Sequence, residues 1–280
     1  MRERRTSVPA VRATKAARGG TRLSMMTAYD EPTARLVDAG GVDLILVGDS
    51  VGNVVLGHED TLRVTVADMV HHTAAVAAAR PAALVIGDLP WLSYHVTREE
   101  AVRSAAALVR AGADAVKLEG GANRLEVIAA IIDAEIPVMG HLGLTPQSVR
   151  AFGGFKVQGR SADAADVIRA DAAALEAAGC FAVVLEGVPD ALGAAITAER
   201  GIPTIGIGAG PATDGQVLVF HDALGLGAAR PPKFVRQYLD GAALVTGAVA
   251  AYVADVQAGA FPGPDESYAT SDDLRTHLDG

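Results

Sequence analysis

Eight short apolar, β-branched runs recur along the chain, near residues 23–29, 42–48, 83–87, 115–118, 137–140, 181–185, 203–207 and 216–220. Ala-rich stretches with helical periodicity separate them, for instance at 65–80, 98–111, 124–134 and 162–178. Each is long enough to cross back over a sheet and return parallel. Eight strands joined by helical crossovers could form an open doubly wound sheet, but runs spaced this evenly close more naturally on themselves. The expected fold is therefore α/β, a (β/α)8 TIM barrel in a single domain.

The length agrees, because one barrel of roughly 250 residues would use nearly all of the 280 available. Aromatic residues make up only 4% of the chain while half of it is hydrophobic, which suits packed helix–sheet layers better than a sandwich built on aromatic anchors. The barrel is expected over 21–262, followed by a mobile acidic tail at 263–280 and the last helix within 232–258. Residues 1–20 are expected to form a disordered basic tail, since Arg2, Arg4, Arg5, Arg12, Lys15 and Arg18 lie there without a continuous apolar segment. The rest of the chain is acidic, which argues against nucleic acid as a partner. No run reaches the ~20 apolar residues of a membrane span, so a soluble protein is expected. The single Cys180 allows no internal disulfide and reads as a small buried side chain.

Polar residues gather at the carboxyl ends of the apolar runs, where barrels place their chemistry. Asp49 and Ser50 follow the second run and Asp88 the third; Lys117 and Glu119 end the fourth, His141 the fifth and Glu186 the sixth. Asp and Ser are also ordinary turn and cap residues, so the repetition carries the argument. Lys117 and Glu119 are two apart, so on a strand they face the same way. Several carboxylates in one cleft repel one another unless a cation sits among them, and an oxygen-only donor set points to Mg²⁺ or Mn²⁺ rather than Zn²⁺. Such an ion would polarise a carbonyl, as the chemistry of 2-oxo acids requires.

Gly206-Ile207-Gly208-Ala209-Gly210-Pro211 mimics a dinucleotide fingerprint, but its third glycine comes too early and a proline follows. Spacing by two instead predicts that the glycines open room for a ligand on one side of the seventh strand. His71 and His72 read as part of a helix face, and His58 as a loop residue bordering the site.

Several ordered motifs carry a family resemblance. Met26-Thr27-Ala28-Tyr29-Asp30, Val47-Gly48-Asp49-Ser50, Val116-Lys117-Leu118-Glu119-Gly120-Gly121, Gly140-His141-Leu142-Gly143-Leu144-Thr145-Pro146-Gln147-Ser148, Phe152-Gly153-Gly154-Phe155-Lys156-Val157-Gln158-Gly159-Arg160 and Thr213-Asp214-Gly215-Gln216 with His221-Asp222 resemble the ketopantoate hydroxymethyltransferases. The resemblance runs from about residue 21 to about residue 264. It implies a magnesium-dependent barrel that transfers a hydroxymethyl group from 5,10-methylenetetrahydrofolate to 3-methyl-2-oxobutanoate, giving 2-dehydropantoate for pantothenate biosynthesis. It further implies a cytoplasmic homo-oligomer, a decamer in bacteria. Site roles follow by the same resemblance: Asp49, Asp88 and Glu119 for Mg²⁺; Asp49, Ser50, Asp88 and Lys117 for the oxo acid; Glu186 as the catalytic proton acceptor. Two other readings stay open on residues alone. One is another Mg-dependent 2-oxo acid lyase or mutase barrel, which the absence of a Lys-Lys-Cys-Gly-His loop disfavours; the other is a non-catalytic ligand-binding barrel.

Overall fold

The computed structural model describes residues 5–16, 21–227 and 231–279. Eight parallel strands form a closed barrel in sequence order: β1 (Leu23–Thr27), β2 (Leu44–Val47), β3 (Leu84–Asp88), β4 (Ala115–Glu119), β5 (Val138–Gly143), β6 (Ala182–Glu186), β7 (Thr204–Ile207) and β8 (Gly215–Leu218). The ring closes where β1 pairs with β8, Leu23 opposite Gly215. The expected fold class is thus the observed one.

Alternation along each strand divides the apolar residues into two cores. Leu44, Leu46, Leu84, Ile86, Ala115, Met139, Ala182, Val184, Ile205, Ile207 and Val217 fill the barrel interior. Their neighbours Ile45, Val47, Val85, Val116, Leu118, Val138, Val183 and Leu185 face outward under the helices. This parity positions the site, because Asp88, Lys117, Glu119, His141 and Glu186 all continue the inward-facing set.

The α-helices among the described residues are α1 (Val8–Ala16), α2 (Glu31–Ala39), α3 (Val66–Ala78), α4 (Arg98–Arg110), α5 (Leu125–Asp133), α6 (Ala162–Ala177), α7 (Asp190–Glu199), α8 (Gly241–Ala258) and α9 (Asp272–Asp279), with single turns of helix at Val51–Val54, Val149–Phe152 and Phe220–Ala223; α2 to α7 form the layer around the barrel. Local sequence sets their starts. Asp30, Thr97 and Ser161 cap α2, α4 and α6 by accepting a backbone N–H bond, and Thr65 with Asp68 forms a reciprocal capping box on α3.

Two expectations about the chain ends need correction. Residues 8–16 do not form a tail: α1 lies against the amino-terminal end of the barrel, where Val11 joins the interior core and the buried Lys15 pairs with Asp214 at 2.8 Å. Arg5 bonds Asp114 there too. The sequence reading weighed charge and missed that Val8 and Val11, three apart, form a small apolar face. Residues 1–4 and 17–20 lie outside the described residues. At the other end the last barrel helix starts at Gly241, not 232, and all of α8 but Gly241 is exposed, so it does not cover this barrel. By length and composition α8 is apolar enough to cross a membrane, with a mean hydropathy of 1.3. Within 263–280, residues 272–279 form the exposed helix α9.

Candidate active site

Register brings the inward-facing charges together at the carboxyl ends of the strands. Asp88 lies opposite Lys117, Glu119 opposite His141 and Glu186 opposite Gly143. Gly143 must be glycine: its φ is +93°, and a Cβ there would stand 2.2 Å from the Glu186 carbonyl.

These groups form a continuous line. Lys117 Nζ stands 2.8 Å from Asp88 Oδ1, 4.0 Å from Glu119 Oε1 and 3.3 Å from His141 Nδ1. On its other edge, His141 Nε2 lies 3.3 Å from Glu186 Oε2. Asp49, two residues beyond β2, gives its backbone N–H to Asp88 Oδ2 at 3.2 Å. Ser50 pairs with the Tyr29 hydroxyl at 2.8 Å. All six residues expected from the sequence therefore meet at one mouth, and His141 joins Glu119 to Glu186.

The electrostatics are strained. Burial holds the carboxyl groups of Asp49 and Asp88 above the usual carboxylate range; the charges of Asp88 and Glu119 add to this at Asp49, whereas Lys117 opposes it at Asp88 without prevailing. Burial acts in the same direction on Glu119, but His141 and Lys117 outweigh it and hold that group low. Burial and Lys117 disfavour a charged His141, yet Glu119 and Glu186 on its two sides lift it to about 9. Asp88 Oδ1, Glu119 Oε1 and His141 Nε2 are buried without hydrogen-bond geometry to any partner, so their contacts are charge pairs alone.

With every group ionised, Asp49, Asp88, Glu119 and Glu186 outnumber Lys117 and His141 by two charges. An oxygen-rich, doubly negative, incompletely bonded cluster suits a hard divalent cation. In their present rotamers no three acidic, His or Cys side chains among the described residues converge as a finished ligand set, since Lys117 occupies Asp88 and Gln147 occupies Asp49. Asp49, Asp88 and Glu119 would have to turn those oxygens to an ion.

Gln147 is the functional residue that sequence reasoning missed. Its Nε2 donates to Asp49 Oδ2 at 2.8 Å and to the Leu89 carbonyl at 3.0 Å. Its backbone N–H donates to Glu119 Oε2 at 3.0 Å, and its Oε1 accepts from the Tyr94 hydroxyl at 2.6 Å. One residue thus braces two of the three carboxylates, Asp49 by its side chain and Glu119 by its backbone N–H. Its place in the loop after β5 was the available signal, but spacing along the chain cannot show that the loop folds back over β2 and β3.

The seventh-strand glycines correct a further expectation. Ile205 and Ile207 take the inward positions, so Gly206 faces out, where a Cβ would meet Thr213 at 2.6 Å; at Gly208 it would meet the Phe234 ring at 2.8 Å and at Gly210 Asp190 at 2.5 Å. The glycines make room for neighbouring protein rather than for a ligand. His72 Nδ1 bonds the Tyr29 carbonyl at 2.7 Å, a structural contact, and the His58 carbonyl accepts from Asn53. Cys180 is buried, its thiol pushed up to about 12 by burial.

Comparison with known proteins finds sequence relatives and a shared fold. A family model described as ketopantoate hydroxymethyltransferase matches residues 5–264. The chain is 56% identical to a 3-methyl-2-oxobutanoate hydroxymethyltransferase of Methylobacterium sp. (strain 4-46), covering 98% of this chain and 94% of that one. It is 55% identical to the protein of that name from Pelobacter propionicus, covering 88% and 92%. Among solved structures, phosphonopyruvate hydrolase superposes with a TM-score of 0.60 at 14% identity, covering 98% of this chain and 95% of that one. For 2,3-dimethylmalate lyase the TM-score is 0.54 at 17% identity, with 98% and 95% covered. At such identities these two establish the shared fold alone.

Proposed function

Because the chain belongs to the ketopantoate hydroxymethyltransferase family and is an enzyme of that type, we propose that it transfers a hydroxymethyl group from 5,10-methylenetetrahydrofolate to 3-methyl-2-oxobutanoate, giving 2-dehydropantoate for pantothenate biosynthesis. The observation that carries this reading is the line Asp88–Lys117–Glu119–His141–Glu186, which sets a carboxylate beside a field of positive charge.

The C3 hydrogen of the oxo acid is weakly acidic, and its removal pushes an electron pair onto the ketone oxygen. The site must then supply both a base and a sink for charge. Glu186 is the base; it is the most solvent-reachable of the carboxylates in the line, with its side chain 15% exposed against 3% for Glu119. His141, charged at neutral pH, holds the Glu186 carboxylate in place and can share the proton it takes up. Lys117 faces the ketone oxygen, and Ser50, set by Tyr29, takes the substrate carboxylate. Mg²⁺ held by Asp49, Asp88 and Glu119 would supply further positive charge for the developing oxyanion. Water adds to the methylene carbon as both of its bonds to the folate nitrogens break, each nitrogen keeping its electron pair and taking a proton from the water, so that tetrahydrofolate departs and a formaldehyde equivalent is left. C3 bonds to that carbon while the C=O pair moves to oxygen, which takes up the proton removed from C3 and becomes the hydroxyl. Holding both substrates together supplies much of the acceleration.

Cytoplasmic location and a homo-oligomer of ten belong to the same reading. Assembly would give Leu244, Val245, Val249, Tyr252, Val253 and Val256, all exposed on α8, a cover from a second copy, as so large an apolar surface requires.

The test isolates proton removal. In deuterated buffer, wild-type protein with Mg²⁺ and oxo acid but no folate should exchange the C3 hydrogen, followed by NMR. Glu186→Gln should slow that exchange by ~10²–10⁴-fold, the usual worth of a general base. Exchange at the wild-type rate would remove Glu186 from the role.

A further inference from the structure

The charged groups of the mouth all come from β2 to β6. The inward-facing residues of β7, β8 and β1 nearest the mouth are Ile207, Val217 and Thr27, which are buried and uncharged. Glu186 takes the C3 proton from the β6 side of the mouth, and the uncharged arc from β7 to β1 is the side that the charged groups leave to a co-substrate.

Two residues that the mechanism does not use, His221 and Asp222 just past β8, stand over it beside Tyr29, two residues past β1. The Phe220 backbone N–H donates to Thr27 Oγ1 at 3.0 Å, which ties the turn after β8 to the end of β1. The Tyr29 and His221 rings lie 5.7 Å apart, and the same Tyr29 bonds Ser50 at 2.8 Å, so the cluster touches the oxo-acid side of the mouth. His221 Nδ1 is buried and has no hydrogen-bond partner. Asp222 is half-buried and makes no side-chain hydrogen bond or ion pair among the described residues. Burial raises its proton affinity and lowers that of His221, as expected for groups desolvated ahead of their partner.

A carboxylate offers two acceptor oxygens side by side, and its best partner is a planar group with two adjacent N–H donors. The pteridine of a reduced folate has such an edge in its ring N–H and 2-amino group, on a flat heterocycle that suits flanking rings. Resting on the function proposed above, we infer that His221 and Asp222, beside Tyr29, form the subsite for the pteridine edge of the folate co-substrate, Asp222 accepting from that pair of donors.

Asp222→Asn tests this, because it keeps the shape but turns one acceptor into a donor. The KM for 5,10-methylenetetrahydrofolate should rise about 10- to 100-fold, the usual worth of a lost charge-assisted pair, while the KM for the oxo acid stays within about twofold, inside the scatter of single-site changes remote from a ligand. His221→Ala, as a second variant, should raise the folate KM by a smaller factor. 6-Methyltetrahydropterin should compete with the folate in the wild type and lose potency in Asp222→Asn, whereas p-aminobenzoylglutamate should inhibit both equally. An unchanged folate KM in both variants, with folate-free exchange intact, would overturn the subsite and leave the proposed reaction standing. Loss of folate-free exchange in both variants would also overturn it, by placing these residues on the oxo acid. A wild type that neither exchanges nor turns over would sink the proposed reaction itself.

Discussion

Both ends of this barrel bury charge, but they treat it differently. At the amino-terminal floor, Lys15 is 6% exposed and its needs are met: Nζ donates to the Thr197 carbonyl at 2.5 Å and to Asp214 at 2.8 Å, and Asp214 also accepts from the Thr204 backbone and hydroxyl. At the carboxyl-terminal mouth, the carboxylates outnumber the cations, and Asp88 Oδ1, Glu119 Oε1 and His141 Nε2 lack hydrogen bonds. Buried charges are tolerated where their remaining bonding capacity is filled. The floor meets that condition within the chain, whereas the mouth meets it only when something else arrives. The difference separates a group that holds the fold from one kept ready for chemistry.

The comparison breaks most visibly at Lys117. Lys117→Met should lower turnover by ~10²–10³-fold, as loss of a positioned oxyanion partner does. It should cost little stability, because burial already holds the Asp88 carboxyl above the usual carboxylate range and loss of the Lys117 charge raises it further, so that Asp88 can take up a proton. A melting temperature that drops as far as turnover would show that Lys117 is structural.

The floor should answer in the opposite sense. Lys15→Met removes one partner of a buried pair, and the partly exposed Asp214 keeps its Thr204 bonds, so denaturant unfolding should show a loss of ~1–3 kcal/mol. Turnover should remain near the wild-type value. A large loss of activity at unchanged stability would make the two ends alike.

The smallest effect is a slope with pH. His141 is raised from its ordinary range to about 9, so its contribution to stability is complete below the unfolded value and is lost as pH rises through about 9. Metal-free protein should therefore lose stability between about pH 6.5 and 9, where His141 titrates in its unfolded and folded forms, and His141→Asn should flatten that slope. An identical slope in the variant would show that other groups set it.

Much of this could be read along the chain. The eight strands lie within the eight apolar runs or extend past them by at most three residues, because buried parallel strands need continuous β-branched sequence and each is bounded by its own turn chemistry. The mouth residues were legible for a related reason, since strand parity and position at a carboxyl end are local properties. Where reading failed, the deciding partner was distant. The glycines in and after β7 answer to Thr213, Phe234 and Asp190, and the weak face of α1 found its place under the barrel through Lys15 and Asp214, 199 positions apart.

Sequence alone, then, determined the barrel, the arc of strands that carries charge and, through the family's motifs, the class of reaction. Only the tertiary structure decided that Gln147 braces Asp49 and Glu119, that His141 joins Glu119 to Glu186, and that α8 faces away from its own barrel. Pattern along a chain reports which face a residue takes within its element. Hydrogen bonds and charge balance depend on which elements closure brings within a few ångströms, and no local period encodes that.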